Sequence, residues 1–465
     1  MKASSLIALT VSFFVGVGCG GGDGGGTPAG DGGADTVVSQ PDAARPDAGR
    51  PDGTFDQAID EATTPPDGAV PTIDTGAPDV PGADADTGVD SAPLANLELL
   101  PRALTTGAFH TCALTAAGAA HCWGSNQSGQ LGNPATGIRT NTPVAVQGGL
   151  TFAAISAGDT QTCALSPAGK AYCWGTGLEL GGDRVVTAMM PIEVVGGIAF
   201  RQISAGRQYT CGVAKDGSAH CWGQNGSGEL GSDVMAAFGT RVPVKVPSAV
   251  AFKFIAAGLG DHTCAITTAG AAWCWGRNSS GQLGNDAKGS AERMPVAVKS
   301  DVKFTSIGTG DLFTCGLGED AKIYCWGNNG AGMQGSGKDG SVHNMLPTAI
   351  ASTDTFKAVA VGTGFACGLT TAGAALCWGG NRSGQLGRGD MDGMPIALQA
   401  TPTPVMGGVA FATISAGETH ACGVTADGKA HCWGSNSNGE LGDGATMMVR
   451  PAPVAVAGGI TFSAN

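Results

Sequence analysis

The sequence predicts an all-β fold, a seven-bladed β-propeller of four-stranded blades over residues 96–465, preceded by a signal peptide and a disordered tether. Three observations predict it. The tripeptide Cys-Trp-Gly recurs seven times, at Cys122, Cys173, Cys221, Cys274, Cys325, Cys377 and Cys432, in steps of 48 to 55 residues. A period near fifty is the signature of a repeat architecture. Glycine makes up 79 of the 465 residues and only 14% are charged, a composition suited to many tight turns between short strands. Each unit also holds several short β-like runs punctuated by glycine, as in GGLTFAAISAGDTQTCALSPAGKAYCWG from Gly148, which fits one four-stranded blade per unit.

The elements follow in chain order. Residues 1–18 open with Lys2 and an apolar run from Leu6 to Val17, and Cys19 comes next. The run is too short for a transmembrane helix and suits an export signal. Gly16-Val17-Gly18-Cys19 resembles the end of a bacterial lipoprotein signal, with Gly18 and Cys19 matching and Gly16 standing where a Leu-like residue is usual. The resemblance implies lipid on Cys19, which would be the only link to a membrane, and Gly20 after it favours the outer membrane. The expected location is therefore outside the cytoplasm, as an outer membrane lipoprotein that is periplasmic or cell-surface.

Residues 19–95 carry the lipidated cysteine and a Gly/Asp/Pro-rich stretch. From residue 20 to 95 there are 15 acidic residues and 2 arginines. So little apolar surface cannot offset chain entropy, and the segment reads as a solvated, disordered tether. Asp84, Asp86 and Asp90 lie close together but lack the spacing and final Glu of a calcium loop. Residues 96–465 hold 23 acidic and 22 basic residues. That near-neutral body argues against nucleic acid as a partner, since phosphate binding needs a basic footprint.

Within each unit two cysteines stand ten positions apart, and six of the seven units place Gly six residues after the first. A three-residue hairpin loop with Gly in the left-handed position, Ala116-Ala117-Gly118 in the first unit, sets Leu114 opposite Ala120 and Cys112 opposite Cys122. By alternation the cysteines fall at a non-hydrogen-bonded pair, where side chains approach most closely and a disulfide can form. The expected bridges are Cys112–Cys122, Cys163–Cys173, Cys211–Cys221, Cys264–Cys274, Cys315–Cys325, Cys367–Cys377 and Cys422–Cys432. They use fourteen of fifteen cysteines and leave Cys19 for lipid. Such bridges need an oxidising compartment. The fifth unit departs from this pattern, with Ala321 at the glycine position of its turn. The chain end, Gly459-Ile460-Thr461-Phe462, repeats the start of a unit and stops. A last strand donated to the first blade would protect the ring's edge.

The units resemble the regulator of chromosome condensation repeat family over about residues 99–465. The likeness rests on Gly-x-x-His-Thr (Gly107 to Thr111), the hairpin, Trp-Gly, and Asn-x-Ser-Gly-Gln-Leu-Gly (Asn126 to Gly132 and Asn381 to Gly387). Units two and five depart from the last element. The resemblance implies seven-bladed propellers whose best-known members are nuclear exchange factors for a small GTPase, while bacterial members include secreted binders. It carries over the fold rather than the exchange activity.

Candidate chemistry is sparse. His110, His262 and His420 share one repeat position and His121, His220 and His431 another, a recurrence expected of blade packing rather than metal binding. The seven Trp of Trp-Gly read as core rings, and Trp273 is the extra one, a candidate for contact. Asp159, Asp261, Asp311 and Glu418 precede the first cysteine of their units and would form an acidic rim if that region borders the central channel. Asn285 to Met294 and Arg388-Gly389-Asp390-Met391-Asp392 are longer variable connections, and the Arg-Gly-Asp match alone is too short to carry adhesion. No catalytic residue, metal ligand or cofactor site is expected. The reading is a monomeric, surface-anchored binding module for a protein or glycan, not an enzyme. Its alternatives are an extracytoplasmic polysaccharide-degrading enzyme and a guanine-nucleotide exchange factor-like regulator.

Overall fold

The computed structural model describes residues 102–233, 239–338, 340, 343–390 and 399–464. The signal and tether readings, including Cys19, lie outside the described residues. Seven four-stranded antiparallel sheets follow one another, each with its strands in sequence order. Blade 1 comprises β1 (Leu104–Thr106), β2 (His110–Leu114), β3 (Ala120–Ser125) and β4 (Arg139–Ala145). The other blades repeat this plan. The inner strands, equivalent to β1, surround a cavity of about 310 Å³ on the axis.

Position in the blade explains the lack of polar alternation. β2 is buried along its whole length, because neighbouring blades cover both of its faces, whereas β4 is half-exposed. Strands covered on both faces read as continuous apolar runs. Seven buried tryptophans hold the blades together. Each ring donates from Nε1 to a backbone carbonyl in the Ser-Gly-Gln-Leu-Gly loop, or its counterpart, of the preceding blade. Trp174 reaches Gln130 at 2.9 Å, and Trp123 closes the circle on Glu440 at 2.8 Å. Thr111 and Thr162 donate to the same two carbonyls. The repeated motif is therefore an inter-blade seal.

The hairpin register pairs Leu114 with Ala120 and Cys112 with Cys122. Gly118 lies in the left-handed region at φ 80°, and its N–H donates to Thr115 O at 2.9 Å. All fourteen propeller cysteines form seven disulfides, each joining the second and third strands of one blade with Cα atoms 4.0–4.1 Å apart. Each bridge closes a short loop and contributes roughly 2–3 kcal/mol in the chain-entropy account. In the fifth blade Ala321 takes φ 60° and keeps the same turn without glycine.

Closure of the ring differs from the expected donated strand. In blades 2 to 7 a phenylalanine at, or in blade 2 just before, the start of the inner strand donates its N–H to the turn of the blade before, as Phe152 does to Gly118 O. Blade 1 has no such residue of its own. Phe462, from the chain end, donates to Gly428 O, forms an isolated bridge with Thr115 and packs on Trp123, with ring centroids 5.8 Å apart. The chain end thus contributes one bridge and one aromatic ring, while β1 comes from the chain's own start. The inner place beside β2, where a donated strand would pair, is already taken by β1.

Candidate recognition face

The turns between inner and second strands and the loops between third and outer strands emerge on one face. The N–H of Ser125, at the end of β3, bonds Phe109 O in the first of these turns at 2.8 Å. At the centre of this face is a ring of glycines: Gly107, Gly158, Gly206, Gly258, Gly310, Gly362 and Gly417. A Cβ on Gly107, Gly158, Gly206, Gly310, Gly362 or Gly417 would collide with, or press against, the carbonyl oxygen of the next ring glycine. In blade 4 the turn is longer. There Gly258 meets Thr309, and the additional Gly260 meets the carbonyls of Gly310 and Asp311. Glycine is required here by the close approach of backbones.

The residues directly after the ring glycines form the rim of the mouth. They are Ala108, Asp159, Arg207, Leu259, Asp311, Thr363 and Glu418. Burial pushes the Asp159 carboxyl up, and Arg207 opposes the shift. Burial also raises Glu418, with repulsion from Asp159 and Asp311 adding to it and Arg207 opposing. Three of the four acids read from the sequence therefore share one rim around one arginine. Asp261 does not join them. The longer turn of blade 4 shifts it, and it pairs with Arg277 at 3.6 Å. The rim carboxylates lie outside the lining of the axial cavity. Among the described residues no group of three His, Cys, Asp or Glu is placed to hold a metal ion.

Further out on the same face, three equivalent positions in adjacent blades carry large exposed apolar side chains: Met448 of blade 7 (67% exposed), Ile138 of blade 1 (68%) and Val186 of blade 2 (44%). Their backbone oxygens accept from Asn436, Asn126 and Gly177 in turn. The backbone there is fixed while the side chains face solvent. Met447, Val185, Met189 and Met190 extend this arc. The arc carries no signal in the sequence, because its side chains follow no strand or helix period and align only when equivalent positions of the blades are compared.

Other candidates take structural roles. The Nε2 atoms of His110, His262 and His420 lie 2.8–2.9 Å from Thr162, Thr314 and Thr111 in the neighbouring blade. Each threonine already donates to a loop carbonyl, so it accepts from histidine, and the proton sits on Nε2. Burial lowers these histidines to about 3 and keeps them neutral. His121, His220 and His431 stand edge-on to Phe462, Phe200 and Phe411. Trp273, a contact candidate by sequence, packs one side on the core and is half-buried. Arg388 of the Arg-Gly-Asp tripeptide bonds Asp390 and Gln399, and Gly389 N donates to Pro451 O. That tripeptide is engaged within the chain, and Met391 and Asp392 lie outside the described residues. In the blade 4 connection Asp286 pairs with Lys299 at 3.5 Å.

A closed ring of seven four-stranded blades with a charged rim at one mouth defines a repeat β-propeller. The RCC1-like domain profile matches residues 82–406, and the regulator of chromosome condensation (RCC1) repeat profile matches residues 411–440. The chain belongs to the RCC1-like domain family. It is 28% identical over 348 residues to the ultraviolet-B receptor UVR8 of Arabidopsis thaliana, covering 73% of this chain and 66% of the receptor. It is 33% identical over 209 residues to the human E3 ubiquitin-protein ligase HERC2, covering 43% of this chain and 4% of the ligase. The chain thus spans less than two thirds of these relatives. Among solved structures it is similar to yeast RCC1 (Prp20) bound to Kap60, with TM-score 0.66, 20% identity and coverage of 74% and 85% of the two chains. Human WBSCR16 gives TM-score 0.64, 19% identity and coverage of 72% and 92%. At these identities the structural likeness establishes the fold.

Proposed function

We propose that the protein is a surface-anchored binding module of the bacterial cell envelope. Lipid on Cys19 holds it to the outer membrane, residues 20–95 act as the tether, and the monomeric propeller presents its recognition face to a protein or glycan partner. The observation that carries the reading is the arc of Met448, Ile138 and Val186 beside the charged rim. Exposed apolar patches bordered by polar groups mark interaction sites, and methionine adapts to varied surfaces. The seven disulfides support an oxidising, extracytoplasmic location. Among the described residues no helix is long and apolar enough to cross a membrane. The rim carboxylates lie outside the axial cavity, which favours binding over catalysis. The exchange-factor reading keeps the support of the family but would need a partner in a reducing compartment.

The test is capture of envelope components on immobilised full-length protein. The Met448→Ser, Ile138→Ser and Val186→Ser triple variant is expected to lose the captured partner. Lys322→Ala, on the opposite face, is expected to keep it. Equal capture by both variants would remove the arc from the account.

A further inference from the structure

The opposite mouth of the axial channel carries the reverse charge. Neighbouring inner strands run in parallel, as the bridge between Arg102 and Ala154 shows, so equivalent positions lie at one level around the axis. Five residues before each ring glycine stand Arg102, Ala153, Arg201, Lys253, Thr305, Lys357 and Ala412. Four of the seven are cations and none is acidic. The fold does not demand them, since blades with alanine or threonine there build the same inner strand. Like charges gathered at one narrow opening repel. Arg201 reaches Lys253 O at 2.5 Å and Lys357 reaches Phe411 O at 3.5 Å. Among the described residues no carboxylate pairs with Arg102, Lys253 or Lys357. Several carboxylates on that face are held locally, Glu193 by Lys170, Asp427 by Lys429, Asp216 by Ser218, Asp320 by Tyr324 and Asp354 by Ser352, while Asp301 and Glu319 are exposed to solvent.

Arg102 and Lys357 also line the axial cavity of about 310 Å³. Most polar groups inside it are already satisfied. Gln202 bonds both backbone groups of Ile255, and Ser204 bonds those of Ala257. Two hydroxyls that line it make no hydrogen bond among the described residues: Ser306, next to the level of the cations, and Thr309, buried beside the glycine ring at the far end. Cations at the entrance and an unpartnered hydroxyl inside point to one kind of ligand. The geometry points to a site for a sugar-sized anion, whose carboxylate or phosphate meets Arg102 and Lys357 and whose hydroxyl meets Ser306, one strand residue inside the level of the cations. This site lies at the cationic end of the cavity, whose other end is lined by Gly258 and Leu259 of the recognition face.

The experiment is calorimetric titration of the full chain at low salt with glucuronate, glucose 6-phosphate and neutral glucose. At least one anion is expected to bind, with affinity falling as salt rises, while glucose is silent. An Arg102→Ala, Lys357→Ala variant is expected to lose ten-fold or more in affinity. Ser306→Ala is expected to lose several-fold, and Thr309→Val at the far end and Lys288→Ala on the opposite face nothing. These variants keep every disulfide, and unchanged thermal melting confirms that the fold is intact. Binding by one anion alone assigns the acid as carboxylate or phosphate. Silence from both anions, or affinity indifferent to Arg102 and Lys357, would overturn the site.

Discussion

Single residues decide whether this ring can close. Gly158 illustrates the constraint: its Cβ would collide with Gly206 O in the next blade, while Gly137 faces open space. Gly158→Ala is expected to cost roughly 2 kcal/mol or more by overpacking, and Gly137→Ala to stay within about 0.5 kcal/mol. Thermal melting of the two variants side by side checks this. Ala321 is the converse case. Its φ of 60° suits glycine, so Ala321→Gly is expected to stabilise by about 1 kcal/mol. A drop in melting temperature would show that the fifth turn prefers alanine. The turn position was legible in sequence because glycine recurs there. The ring was not, since its cause is a carbonyl about fifty residues away.

At the scale of the element, the loop that seals one blade to the next carries a pH dependence. Glu179 and Glu229 occupy the place of Gln130, and burial pushes both carboxyls up to about 7. Because the folded value lies above the unfolded one, their stabilising effect is complete below the ordinary carboxylate range and is lost as pH rises through about 7. Glu229→Gln copies the sister loops, where Gln130 Oε1 accepts from Ser128 N as Glu229 accepts from Ser227 N. It is expected to stabilise by roughly 1–3 kcal/mol at pH 8 and hardly at all at pH 4. The buried histidines act in the opposite sense. His110, His262 and His420 titrate near 3 when folded, so their contribution is present above about 6.5 and lost as pH falls toward 3. Denaturant melts of the wild type and Glu229→Gln across pH 4–8 separate the two. The sequence showed that Gln-Leu-Gly recurs but not that its carbonyl accepts from the next blade's tryptophan and threonine, because that pairing crosses the blade boundary.

For the whole molecule, closure rests on an aromatic plug. Phe462 is 3% exposed, sits on Trp123 and stands in for the phenylalanine that blade 1 lacks. Phe462→Ala is expected to cost roughly 3–5 kcal/mol and to speed hydrogen exchange first in blades 1 and 7. Uniform loosening of all seven blades would argue against a localised seam. The seven-fold repeat, the hairpin register and the cysteine pairs could all be read from spacing, because each is local to one unit. The seat of Phe462 on Trp123, the apolar arc and the opposed charges of the two mouths could not, because each exists only when units from distant parts of the chain meet around the axis.

The central claim is that this propeller is built and kept outside the cytoplasm. The most direct test is the intact mass of the mature native protein after thiol alkylation, with and without prior reduction. The account predicts no alkylation of the fourteen propeller cysteines until reduction, loss of residues 1–18, and a lipid-sized mass on Cys19. Fourteen cysteines alkylated without reduction, on a chain that retains residues 1–18, would contradict it.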